Sequence, residues 1–213
     1  MAKTSSAHDP KQKIVNAAFR ALCQNGLPPL SYDVIAKEAN LSRQVVRYHF
    51  KTPDDLMVAL CDMMASVYRE GMIAGVIQSK GPDRLNLFLD FYFDLLPDMP
   101  KPRDDQAYDA LMSLAAGSDR VAEALRLQYG LLGQVLISEF MLEYPSLELQ
   151  AAQELSYLFV CLMYGRWKMV ASLGFSEDHK HITRRAMDRL IQSYVDNQRP
   201  MRPLDTIWKQ KVE

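Results

Sequence analysis

Within the eight positions from 42 to 49 lie Ser42, Arg43, Gln44, Arg47, Tyr48 and His49, a concentration of donors and acceptors with no acid among them. A guanidinium or a carboxamide can bond a base edge through two atoms at once, while hydroxyl, phenol and imidazole groups bond phosphate oxygens. Ser31, Lys37 and Lys51 flank the segment and extend the same chemistry. Val45 and Val46 sit between the polar residues, so one valine can anchor the segment in a core while the other meets a thymine methyl group. The candidate contact set for double-stranded DNA is therefore Ser31, Lys37, Ser42, Arg43, Gln44, Val45, Arg47, Tyr48, His49 and Lys51.

Charge along the chain points the same way. The whole sequence of 213 residues has a formal charge of −1, yet residues 1–55 carry eight Lys/Arg (Lys3, Lys11, Lys13, Arg20, Lys37, Arg43, Arg47, Lys51) against five acids (Asp9, Asp33, Glu38, Asp54, Asp55). A basic segment on an otherwise acidic chain suits a polyanionic partner. Catalysis is not indicated, because the sequence lacks a GxSxG elbow, a P-loop, an HExxH pair and a dinucleotide fingerprint. His179 and His181, two apart on a helix, point in different directions and do not make a shared metal site. No cofactor or metal is implied. A helical adaptor that binds only protein would account for the rest of the chain but not for the basic segment.

Helical punctuation runs from end to end without a stretch of strand alternation, so the fold class is all-α with about nine helices. Asp9-Pro10 starts a first helix that stops at Asn25-Gly26. Ser31 caps a short second helix, Asn40 takes the tight connection because asparagine enters the left-handed region, and Ser42 caps a third helix reaching about His49. Thr52-Pro53-Asp54-Asp55 opens a long fourth helix with apolar positions Leu56, Leu60, Met63, Met64, Val67, Ile73 and Ile77, up to the break at Lys80-Gly81-Pro82. A fifth helix is expected from Asp83 to Leu96, ahead of Pro97, Pro100 and Pro102, and a sixth from about Asp104 to Ala116. A seventh ends at Tyr144, and an eighth starts at Pro145-Ser146 and ends at Leu173-Gly174. The last runs from Ser176 to about Val195. The tail beyond it, with Pro200 and Pro203, has Ile207 and Trp208 available for docking. This divides the chain into a three-helix head (1–50), a helical body (51–197) and a C-terminal tail (198–213). Two short helices joined by a tight turn, the second one polar and basic, make a helix-turn-helix over residues 31–49.

The residues that carry this motif also resemble a known family. Ile35-Ala36-Lys37-Glu38-Ala39-Asn40-Leu41-Ser42, then Tyr48-His49-Phe50 and Asp54-Asp55-Leu56, resemble the signature of the TetR family of transcriptional regulators. Ile14, Ala17-Ala18-Phe19 and Gly26 are similar to its first helix, so the resemblance covers about residues 10–60. It implies a ligand-responsive DNA-binding regulator, usually a repressor released by a small molecule, acting as a homodimer on a palindromic operator. Three positions depart from the family pattern. Asn40 replaces a turn glycine, Arg47 stands where a tyrosine usually touches the DNA backbone, and Pro53 stands where a lysine does so. Arg47 can still hold phosphate through its charged fork, whereas the contact missing at Pro53 is lost or moves to Lys51. Phe50 is read as core.

The resemblance further implies that the last two helices pair with those of a second copy. Ile182, Ala186, Leu190 and Tyr194 recur every fourth residue, with Met187 and Ile191 adjoining them, while Lys180, Arg184, Arg185, Asp188 and Arg189 lie elsewhere around the helix. A pocket for an unidentified effector belongs in the body, where apolar side chains surround a few polar ones. Its candidates are Met64, Tyr68, Phe88, Tyr92, Met112, Tyr129, Tyr164 and Trp167, with Met141 and Tyr157 as further members of the region; Gln128 and Arg166 would orient an anionic or amide group. The three cysteines, Cys23, Cys61 and Cys161, are expected to be buried, reduced thiols. With neither a signal-peptide core nor a bilayer-length apolar run, the expected location is the cytoplasm, away from any membrane.

Overall fold

In the computed structural model residues 9–25, 31–78, 83–99, 104–176, 178–197 and 207–208 are described. Among them the regular elements are helices, with no strand. They are α1 (Pro10–Asn25), α2 (Tyr32–Ala39), α3 (Arg43–His49), α4 (Pro53–Gln78), α5 (Arg84–Tyr92), α6 (Asp105–Ala115), α7 (Asp119–Glu143), α8 (Leu149–Trp167) and α9 (His179–Asp196). None of these helices is long and apolar enough to cross a membrane. The chain forms two compact units, one of Met1–Val67 with Arg103–Leu125, the other of Tyr68–Pro102 with Arg126–Glu213.

In the first unit, local chemistry sets the helix ends. Ser31 Oγ accepts the Val34 N–H and Ser42 Oγ accepts the Val45 N–H, each at 3.3 Å, filling a backbone donor that the first turn leaves open. Asn40 has φ 54° and ψ 47°, and the chain around it reverses through two bonds, Asn40 N–H to Lys37 O and Leu41 N–H to Ala36 O. This is the left-handed helix stop that normally takes glycine, filled here by the residue that tolerates it next best. Thr52 and Asp55 cap α4 reciprocally: the Thr52 N–H donates to Asp55 Oδ2 at 2.9 Å, and the Asp55 N–H to Thr52 Oγ1 at 3.2 Å. The apolar faces of α1, α2 and α3 meet around Ile14, Ala18, Leu22, Ile35, Val46 and Phe50, all buried, and α1 also packs on α6. Phe50 is core, as its sequence context indicates, and its carbonyl accepts the Tyr32 hydroxyl at 2.9 Å.

In the second unit α5 stops at Tyr92 rather than at Leu96. Asp94 takes φ 61°, and the Asp94 and Leu95 amides bond back to Phe91 O and Asp90 O, closing the helix with the same left-handed stop seen at Asn40. Helix α8 starts at Leu149, not at Pro145-Ser146, because Tyr144–Leu147 forms a turn closed by Leu147 N–H to Tyr144 O and anchored by the buried Leu147 side chain. Its C-terminal continuation, Lys168–Ser172, is wound as a π-helical turn. Ser176 caps the turn ahead of α9 through the Asp178 N–H instead of starting the helix. The break at Lys80-Gly81-Pro82, Gly26, Pro100, Pro102, Glu177, Pro200, Pro203 and the side chain of Ile77 lie outside the described residues. Val67 and Ile73 of the α4 apolar series are exposed.

The cysteines divide. Cys61 is buried, which pushes its thiol up to about 12; Cys23 is half-buried, its thiol raised to about 11 by burial and then by Asp104 and Asp105; Cys161 is exposed, against expectation. Cys161 follows the outward face of α8, one turn beyond the exposed Tyr157, so its helical position outweighs its apolar character.

Candidate nucleic-acid interface and ligand region

Helix α3 carries two faces fixed by its register. Val46 has no exposed surface and locks the helix into the head core, while Ser42, Arg43, Gln44 and Arg47 are exposed. Tyr48 is 81% exposed, with its ring edge-on to the half-buried His49 at 5.2 Å. Val45 is half-buried; Ser31, Lys37 and Lys51 are exposed around the same motif. Most of the Tyr48 ring is therefore accessible from solvent. Arg43 Nη1 lies 3.2 Å from Asp33 Oδ2, both side chains well exposed, so this ion pair contributes little and its guanidinium can be exchanged for another acceptor. Lys11 Nζ stands 5.8 Å from the Phe50 ring. The arrangement brings all ten candidate DNA-contact residues onto one helix-turn-helix and its flanks. Asp33 was not singled out by the sequence, because nothing in the spacing from 33 to 43 shows that a turn folds them together.

A second set of bonds fastens the start of α4. Arg120 Nη2 lies 2.7 Å from Asp55 Oδ1, and Ser118 Oγ donates to Asp54 Oδ2 at 2.6 Å, so two residues at the start of α7 hold the acids that follow α3. The Arg120 guanidinium, with the Thr52 hydroxyl and amide, holds the Asp55 carboxyl below its ordinary value. A carboxylate whose folded value is depressed stabilises the protein above its unfolded value, and that contribution goes as pH falls through the folded value, so the Asp55 bonds persist at neutral pH. The sequence reading missed this clasp; its only signal was the acid pair itself, which a helix start explains equally well.

The ligand candidates fall into both units. Met64 (buried) and Met112 (39% exposed) belong to the first, and eight others, Tyr68, Phe88, Tyr92, Gln128, Tyr129, Tyr164, Arg166 and Trp167, to the second. Four of those eight are brought together: Tyr68 stacks on Tyr92 at 5.9 Å and lies 6.2 Å from Trp167, while Phe88 sits 5.0 Å from Tyr92. Phe91 and Phe159, not among the candidates, complete the cluster at 5.3 and 5.8 Å from Tyr92. Burial raises the Tyr92 hydroxyl well above its ordinary value, so it stays neutral. Arg166 is buried in this unit, while Gln128, Tyr129 and Tyr164 are half-buried. Met112, Met141 and Tyr157 lie at the surface rather than in a core.

Neither a protein-family model nor a curated protein matches the sequence. Solved structures do match the fold. A TetR transcription regulator from Haloarcula marismortui superposes with a TM-score of 0.73 at 20% identity, over 87% of this chain and 98% of the other. A transcriptional regulator from Saccharomonospora viridis, solved with choline, gives 0.68 at 18% identity over 85% and 95%. The multidrug binding protein EbrR, solved with ethidium, gives 0.65 at 20% identity over 85% and 98%. The chain therefore has the all-α fold seen in TetR-type transcription regulators.

Proposed function

We propose that this chain is a cytoplasmic TetR-type regulator of transcription, most simply a repressor, that binds a palindromic operator as a homodimer through α3 and is released by a small molecule. The observation that carries the reading is α3 itself: a short helix pinned by Val46, closely preceded by a left-handed turn at Asn40, presenting Arg43, Gln44, Arg47 and Tyr48 to solvent. Such a helix enters the major groove with its first turn deepest, so Arg43 and Gln44 read bases and Arg47 anchors phosphate. In a selection from random duplexes, Gln44→Ala should relax preference at one position per half-site, by about 1–3 kcal/mol if it pairs with adenine. Arg47→Ala should weaken all sequences alike. The opposite pattern would reverse the orientation of the helix.

A two-fold operator needs a two-fold protein, and α9 offers the surface. Met187 and Ile191 are buried within the chain, whereas Ile182 is 53% exposed and Ala186, Leu190 and Tyr194 are half-buried, a stripe that a second copy would cover. The aromatic cluster around Tyr92 is the region proposed for the effector, and two neighbours of the same fold were solved with choline and with ethidium. Helix α4 starts directly after the recognition helix and continues to Tyr68 of the cluster, a covalent route by which the effector would tilt the head. Coupling of about 1–3 kcal/mol would loosen DNA roughly 5–150-fold, and DNA must weaken the effector by the same factor. Equal effector affinities with and without operator would remove the sensor role and leave DNA binding intact.

A further inference from the structure

The cations around α3 are not alike. Arg43, the first residue of the helix, has a carboxylate beside it: its Nη1 lies 3.2 Å from Oδ2 of Asp33, in the first turn of α2. Among the described residues Lys37, Arg47 and Lys51 have no ion pair. The neighbouring acids are engaged elsewhere: Glu38 meets Arg20 of α1 at 2.7 Å, Asp54 accepts the Ser118 hydroxyl, and Asp55 meets Arg120. One guanidinium with its charge offset therefore stands among cations that keep theirs.

The two parts of a duplex ask for different things. A phosphate is drawn by net charge, and its sequence-independent contribution grows with the number of cations that replace condensed counterions. A base edge is neutral and asks for aimed donors, two at a time in the case of guanine. A guanidinium carries five N–H donors in a rigid fork, so a carboxylate at Nη1 offsets its charge and still leaves donors for a two-atom contact. We propose that Asp33 determines sequence specificity through Arg43, withholding that guanidinium from phosphates and leaving it to a base edge, while Lys37, Arg47 and Lys51 supply the phosphate contacts. This rests on the reading of α3 as the DNA-reading helix. Asp33 is a positioning residue: an exposed ion pair adds little to stability, yet it changes the net charge that a phosphate meets.

The test compares the parent with Asp33→Asn, which removes the charge and keeps the size of the side chain and an acceptor. Affinity for a labelled duplex of arbitrary sequence is measured against salt, and base preference by selection from random duplexes. Asp33→Asn should bind the arbitrary duplex about fivefold more tightly per head at about 150 mM salt, with a log–log slope steeper by about 0.9 per head, as Arg43 gains a phosphate. Preference should fall at the base pair that Arg43→Ala also relaxes, and in the Arg43→Ala background Asp33→Asn should change no preference. Circular dichroism should show the same helix content throughout. An acid that serves only the start of α2 would give unchanged or weaker binding when neutralised, with preference intact, and that result overturns the proposal. Tighter binding with preference unchanged also overturns it, because Asp33 would then be only a repulsive charge. If the parent itself shows neither salt dependence nor preference, α3 is not a DNA-reading helix and the proposal falls with that reading.

Discussion

Arg184→Ala is expected to lower stability by about 2–3 kcal/mol, far more than the neighbouring Arg185→Ala, which should fall within about 0.5 kcal/mol of the parent. Arg184 lies inside α9 with its side chain nearly closed off from solvent. Its Nε donates to Asp90 Oδ1 at 2.6 Å and its Nη2 to Asn86 Oδ1 at 2.6 Å, both on α5, and Nη1 bonds Asp188 one turn further along α9. Removing one partner of such a cluster strands the others, and the cost of a stranded buried charge reaches about 3–5 kcal/mol when burial is complete. Asp90 and Asp188 keep some solvent, which moves the expectation to the lower side. Thermal unfolding should show a midpoint lowered by roughly 4–12 °C for a chain of this size. A midpoint equal to that of Arg185→Ala would mean that the Arg184 cluster contributes nothing measurable to stability.

Arg184 also shows where a sequence stops being informative. Periodicity set it apart from the apolar stripe of α9, with Lys180 and Arg185, whereas its partners on α5 stand 94 and 98 positions away. The Asp54–Ser118 bond spans 64 positions and the Trp208–Ser156 bond 52. By contrast, Ser31, Ser42, Thr52 and Asn40 act within four residues of themselves, so their caps and the whole helix-turn-helix were legible from residue type and spacing. Asp94 misled for a related reason: aspartate enters the left-handed region less predictably than glycine, and the run on to Leu96 is apolar enough to pass for helix. Among the ligand candidates, Tyr68, Phe88, Tyr92 and Trp167 converge because large aromatics are buried by their size. Met112 reaches the surface because helical periodicity does not say which side of α6 faces inward.

The most direct test of the account is the affinity of the intact protein for duplex DNA as a function of salt. Lys37, Arg43, Arg47 and Lys51 are all exposed around α3, and the proposed dimer would present two such sets. Each phosphate neutralised releases condensed counterions, so the logarithm of affinity should fall linearly with the logarithm of salt concentration, by about 0.9 per phosphate. If the dimer engages six to ten phosphates, raising salt from about 50 to 200 mM should weaken binding by about 10³–10⁵-fold. Fluorescence anisotropy with a labelled duplex reads this over the whole range. The account predicts that steep line, made shallower by about two phosphates per dimer in Arg47→Ala. A flat line, or a slope that Arg47→Ala leaves unchanged, would contradict the assignment of α3 as the DNA-reading helix.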